Sequence, residues 1–127
     1  MSIFGIGTDI IEVQRIREAR ERDPEAFLSK ILSTQEIEYC LSYLKTADVH
    51  IAGRFAAKEA TAKALGVGFG KLLEFHDIEI LRDEKGKPYI QLSAEAQKRF
   101  PALHFFLSIS HTEHYATAMV LAAKDPI

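Results

Sequence analysis

Asp9 and Glu59 are the two acids of this chain whose neighbours suggest chemistry. Asp9 ends the run Gly5-Ile6-Gly7-Thr8-Asp9. Glycines allow close backbone approach, and an acid at the exit of a strand can hold a hard cation. The same residues also read as a strand ending in a turn, with Asp9 capping the next helix; a G-x-G without a third glycine is no dinucleotide fingerprint. Glu59 sits in Arg54-Phe55-Ala56-Ala57-Lys58-Glu59-Ala60-Thr61-Ala62-Lys63. On a helix, Arg54 shares a face with Lys58, and Glu59 with Lys63. Glu59 and Lys63 alone would be an ordinary surface pair, contributing only ~0.2–0.5 kcal/mol. Three cations around one acid, on a helix of small alanines, also suit a polyphosphate with one magnesium: an acid for the metal, cations for the oxygens.

Two further clusters carry charge or hydroxyls. In Ser108-Ile109-Ser110-His111-Thr112 the serines share one strand face, and hydroxyls, an imidazole and backbone amides suit phosphate oxygens. A polar hairpin end is the plainer reading. Ser110 and His111 do not form a nucleophile–base pair, because adjacent strand residues point to opposite faces. Arg15, Arg17, Arg20 and Arg22 alternate with Glu18 and Glu21. Arg15 and Arg22, seven apart, project from one helical face, either as a solvated surface or as a docking site for an acidic protein helix. His50, His76, His104 and His114 show no ligand spacing, and without C-x-x-C or H-x-x-x-H a zinc site is not expected.

The elements that must position these residues change period midway. Ile3–Ile11 reads as an apolar strand, and charged residues follow at helical spacing from Glu12 to Arg22. Asp23-Pro24 opens a second helix. Ser33-Thr34-Gln35-Glu36 forms a capping box for a helix to about Tyr43. A long Ala-rich helix spans Asp48 to Leu65, with Gly66 and Gly68 after its end. The second half alternates: strands at 76–82 and 89–92 around a Gly86-Lys87-Pro88 turn, a short helix capped by Ser93 through Arg99, and strands at 105–110 and 115–122. The expected fold is α+β, one domain over residues 1–127, with an antiparallel sheet of hairpins packed against the long central helix.

Composition narrows the function. Sixteen Lys plus Arg against eighteen Asp plus Glu give a net charge of −2, so a generic basic nucleic-acid binder is excluded. One cysteine, Cys40, fits a reducing compartment, and no apolar run reaches the ~18 residues of a membrane span. A cytoplasmic setting is expected. With 127 residues there is little depth for a secluded site, so an enzyme of this size is expected to complete its site at a subunit interface.

Together, Gly5-Ile6-Gly7-Thr8-Asp9-Ile10, the F-x-x-K-E-x-x-x-K run from Phe55 to Lys63, and Ser108-Ile109-Ser110-His111 resemble the 4′-phosphopantetheinyl transferases, in their small bacterial class, the holo-acyl-carrier-protein synthases. The resemblance covers nearly the whole chain, in order; Val67 departs from the Thr often expected after the helix. It implies Mg²⁺-dependent transfer of 4′-phosphopantetheine from coenzyme A to a serine of apo acyl carrier protein, in support of fatty acid biosynthesis. It implies that Asp9 and Glu59 ligate Mg²⁺ and that Asp9, Glu59 and Lys63 form the catalytic set. Lys63 and Lys58 would meet phosphate oxygens, Arg54, Ser110 and His111 would join the coenzyme A site, and Arg15 and Arg22 would face the carrier protein. A homotrimer with sites between subunits is implied too. The residues alone leave two rivals: a Mg²⁺-dependent nucleotide pyrophosphohydrolase and a non-catalytic carrier-protein-binding module.

Overall fold

The computed structural model describes residues 1–125, so the last two positions of the 1–127 span lie outside the described residues. Strand β1 (Ser2–Glu12) leads into helix α1 (Val13–Arg22), followed by α2 (Pro24–Ile31), α3 (Thr34–Leu41) and the long α4 (Ala47–Leu65). Then come β2 (Ile78–Arg82), β3 (Pro88–Leu92), α5 (Ala94–Arg99), β4 (Leu103–His111) and β5 (Tyr115–Lys124). β2 and β3 form an antiparallel hairpin, while β1, β5 and β4 form a three-stranded antiparallel sheet in that order. The expected α+β fold is present, with one addition: the N-terminal strand joins the C-terminal hairpin and makes its last strand central.

Local chemistry explains the boundaries. Asp23 accepts from the Ala26 amide and caps α2. Ser33 and Glu36 close the capping box on α3. α3 stops at Leu41 rather than Tyr43 because the Ser42 hydroxyl turns back onto the Tyr39 carbonyl, 2.6 Å away. α4 ends where Gly66 adopts a left-handed conformation (φ 76°) and its amide donates back to Ala62 and Lys63. β2 begins at Ile78 rather than His76, since Phe75–Asp77 wind into a 3₁₀ turn closed by the Glu74 amide on the Asp77 carboxylate.

α4 lies across the inner face of the three-stranded sheet, and small residues let it come close. The inner face of β1 presents Gly5, Gly7, Asp9 and Ile11. A Cβ at Gly5 would run into the Ala64 carbonyl, and one at Gly7 into the Ala60 carbonyl, so helix and strand touch backbone to backbone. Ala56, Ala57, Ala60 and Ala64 of α4 are buried. The other side of α4 is anchored by a buried polar knot. Lys58 Nζ donates to the Ile31 carbonyl at 2.7 Å, to Glu36 Oε1 at 2.7 Å and to the Phe75 carbonyl at 3.3 Å. Glu36 also accepts from the Ile80 amide. One lysine thus ties α4 to α2, α3, the 3₁₀ turn and β2. Asp48, in the first turn of α4, holds α1 through Arg20 at 2.9 Å and Arg17 at 3.4 Å.

Candidate active site

Asp9, Glu59 and Lys63 meet where β1 crosses α4. Asp9 is on the inner face of its strand, its side chain only 15 % exposed, and it does not cap α1, whose first turn begins beyond Glu12. Lys63 does not pair with Glu59 one turn below. Its ammonium reaches across to β1 instead, 2.9 Å from the Thr8 carbonyl and 3.2 Å from Asp9 Oδ1. Glu59 is half-buried, and its pKa is raised, first by burial and then by the Asp9 carboxylate, with Lys63 opposing. Two acids pushed together beside a lysine are the donor set that a small hard cation prefers when phosphate oxygens complete its shell. Among the described residues no three His, Cys, Asp or Glu side chains gather, so this pair would hold a cation only together with ligand oxygens.

The structure separates the other expected site residues. Lys58 is a correction: it is 0 % exposed and its ammonium is saturated by Glu36 and two carbonyls, so it cannot also meet a bound phosphate. Adjacent residues on a helix diverge by about 100°, which sends Lys58 into the core while Glu59 faces β1. Ser110 pairs with Thr117 in the row that also holds Ile10, on the sheet face opposite Asp9. His111 sits in the next row, with Ala116 and Ile11. Its ring lies edge-on to His50, 5.8 Å between centroids. Arg54 is buried, its guanidinium 4.1 Å above the Tyr39 ring. Of the four arginines on α1, Arg17 and Arg20 are occupied by Asp48, whereas Arg15 and Arg22 are exposed and rim a cleft lined by Ile16, Phe27 and Phe55.

Sequence reasoning missed Tyr39, Tyr43, His50 and Arg82, which pack around Arg54. Tyr43 stacks on His50 at 3.8 Å, and the Arg82 guanidinium lies 4.8 Å from the Tyr39 ring centroid. The spacing of Tyr39 from Tyr43 and of His50 from Arg54, four residues in each pair, was the available signal.

Known proteins match the chain over nearly its whole length. The family model of the 4′-phosphopantetheinyl transferase superfamily matches residues 5–120. A holo-[acyl-carrier-protein] synthase of Anoxybacillus flavithermus is 50 % identical over 123 residues, covering 96 % of this chain and 97 % of that protein. One from Protochlamydia amoebophila is 44 % identical over 118 residues, 93 % and 96 % of the two chains. The crystal structure of the Helicobacter pylori holo-[acyl-carrier-protein] synthase in complex with coenzyme A superimposes with a TM-score of 0.85 at 41 % identity, covering 93 % of this chain and 99 % of that one. The Bacillus anthracis synthase, in complex with CoA (3′,5′-ADP), gives 0.84 at 36 % identity, covering 98 % and 100 %. With its two acids and lysine held at one crossing of strand and helix, the chain belongs to the 4′-phosphopantetheinyl transferase superfamily, in its holo-acyl-carrier-protein synthase family.

Proposed function

We propose that the chain moves the 4′-phosphopantetheine group of coenzyme A onto a serine of apo acyl carrier protein. The observation that carries this reading is the convergence of Asp9, Glu59 and Lys63 at the crossing of β1 and α4. The serine oxygen forms a bond to the phosphorus bearing the pantetheine. The bond from that phosphorus to the bridging oxygen breaks, and adenosine 3′,5′-bisphosphate leaves. Asp9 and Glu59 would hold a Mg²⁺, whose charge would offset that of the pyrophosphate. Lys63, anchored on the Thr8 carbonyl, would offset charge growing on the leaving phosphate. Glu59, beside the reacting phosphorus, would take the serine proton.

Arg15 and Arg22 would steer an acidic helix of the carrier protein towards the cleft beside Phe55. The outer face of the three-stranded sheet exposes Ile6, Ile10, Phe106 and Met119. An apolar sheet face of this kind supports self-association, with a homotrimer as the expected assembly and the site completed by a neighbouring copy. Among the described residues no helix is long and apolar enough to cross a membrane. A cytoplasmic role in fatty acid biosynthesis fits this reading.

Intact-mass measurement of apo acyl carrier protein, after incubation with the chain, coenzyme A and Mg²⁺, tests the proposal. A gain of one phosphopantetheine is expected, and no gain on a range of carriers would overturn it. Bisphosphate released without carrier would favour the pyrophosphohydrolase. Glu59→Gln is expected to reduce turnover far more than coenzyme A binding. Equal losses would leave Glu59 a metal ligand only.

A further inference from the structure

Helix α1 carries four arginines, and one carboxylate sorts them into two pairs. Asp48 Oδ1 accepts from Arg20 at 2.9 Å, and Asp48 Oδ2 pairs with Arg17 Nε at 3.4 Å. The Asp48 side chain is only 19 % exposed, and each of its oxygens takes one arginine. Arg17 also donates to Gln14, one turn back, at 2.7 Å. Arg15 and Arg22 are exposed and form no ion pair among the described residues. The helical period explains the sorting. At about 100° per residue, the mean direction of Arg17 and Arg20 lies about 180° from that of Arg15 and Arg22. One pair faces the first turn of α4, and the other rims the cleft of Ile16, Phe27 and Phe55.

α1 needs such a tether. It has 10 residues and no side-chain cap at its N-terminus, and a helix this short is marginal without tertiary contacts. Its buried residues are Val13 and Ile16, both in the first half. The second half, which ends in Arg22, is held to α4 by Arg17 and Arg20 through Asp48. α4 also carries Glu59, eleven residues beyond Asp48 and about 16.5 Å further along the helix axis. Asp48 therefore fixes the arginines of α1 to the same rigid rod that bears the acid of the site.

We propose that Asp48 is a positioning residue for the acceptor. By anchoring Arg17 and Arg20, it sets where Arg15 and Arg22 receive an acidic helix of the carrier protein relative to Glu59. This deepens the transferase reading and rests on it. Arg15 and Arg22 stand about 10.5 Å apart along α1, which matches two carboxylates two turns apart on one face of a partner helix. Without Asp48, four like charges would share a short helix that is free to roll, and an acidic partner could seat in several registers. Partly exposed ion pairs add little to global stability, so Asp48 acts on position more than on folding.

Transfer kinetics of the full chain, with apo acyl carrier protein and coenzyme A varied in turn, test the assignment. Asp48→Ala is expected to raise KM for the carrier about fivefold, the scale of two partly exposed ion pairs. kcat and KM for coenzyme A stay unchanged, and Asp48→Glu restores most of the loss. Asp48→Asn, of the same shape, repeats the loss with less disturbance to the fold. In an Arg15→Ala, Arg22→Ala background, Asp48→Ala has little further effect, because nothing is left to position. Equal rises in KM for both substrates, or full additivity in that background, would reveal a merely structural role and overturn the proposal. A lower KM for the carrier would overturn it too, since the freed Arg17 and Arg20 would then be joining the docking surface. Calorimetric titration of apo carrier protein without coenzyme A reads docking apart from transfer. If the carrier does not bind the unsubstituted chain, or binds Asp48→Ala equally well, the assignment fails even if carrier protein gains mass. If binding weakens in Asp48→Ala but no carrier gains mass, the assignment stands and the transferase reading fails.

Discussion

Lys58 and Lys63 carry the same charge on the same helix and do opposite things. Lys58 neutralises Glu36 in the core, whereas the Lys63 side chain is 54 % exposed at the mouth of the site. Lys58→Ala would leave the Glu36 carboxylate buried and unpaired, which costs about 3–5 kcal/mol. Urea denaturation is expected to show that loss. Lys63→Ala should melt like the unsubstituted chain and lose most of its turnover. The reverse pattern would exchange the roles of the two lysines. His50 sets a pH limit. Its folded-state pKa lies below the usual histidine value of 6.5, first because burial opposes the proton and then because of Arg54, His111 and Arg82. The unfolded chain therefore takes up the proton first. The associated stability is intact above pH 6.5 and is lost as pH falls through the lower folded value. A His50→Phe variant should lose less stability between pH 7 and 5, measured by thermal melts across that range. An unchanged profile would assign the acid sensitivity elsewhere.

At the scale of elements, the contact of β1 with α4 sets the distance between the two acids. Gly7→Ala would force the strand off the Ala60 carbonyl. Overpacking of this kind costs about 1–3 kcal/mol, and here it also moves Asp9 relative to Glu59. The expected outcome is a lower melting temperature together with a higher Mg²⁺ requirement for transfer. A variant that loses only stability would show that the acids tolerate the shift. The sequence made this much legible because the cues were local. Capping residues, the alanine run and the glycines each act within a turn or a strand, and the motif around Glu59 is contiguous. The direction of each side chain was less legible. Lys58 stands in the motif beside Glu59, yet its partner Glu36 is 22 positions away and on another helix. Whether a helical lysine faces core or solvent depends on what packs behind it, and that information is not local. The cluster of Tyr39, His50, Arg82 and His111 around Arg54 was hidden for the same reason, since its parts come from α3, α4, β2 and β4.

For the whole molecule, the outer sheet face is the feature that a single copy leaves unexplained. Met119 stands in the central strand, flanked by Thr8 on β1 and Ser108 on β4, and is 48 % exposed. Met119→Lys should leave the monomer folded, dissociate the proposed homotrimer in sedimentation velocity, and reduce transfer if sites are shared between copies. An assembly that survives the substitution would place the contact elsewhere. The strand order has a consequence for how the molecule comes into being. The central strand, β5, follows every other element in the chain, and both of its neighbours wait for it: β1 from the opening residues and β4 from just before. During synthesis the apolar strand that bears Asp9 has no hydrogen-bonded neighbour until the final segment emerges. A nascent chain therefore cannot complete the crossing of β1 and α4 piecemeal. Activity should arrive abruptly with the last strand, and until then an unpaired β1 is the segment most in need of a chaperone.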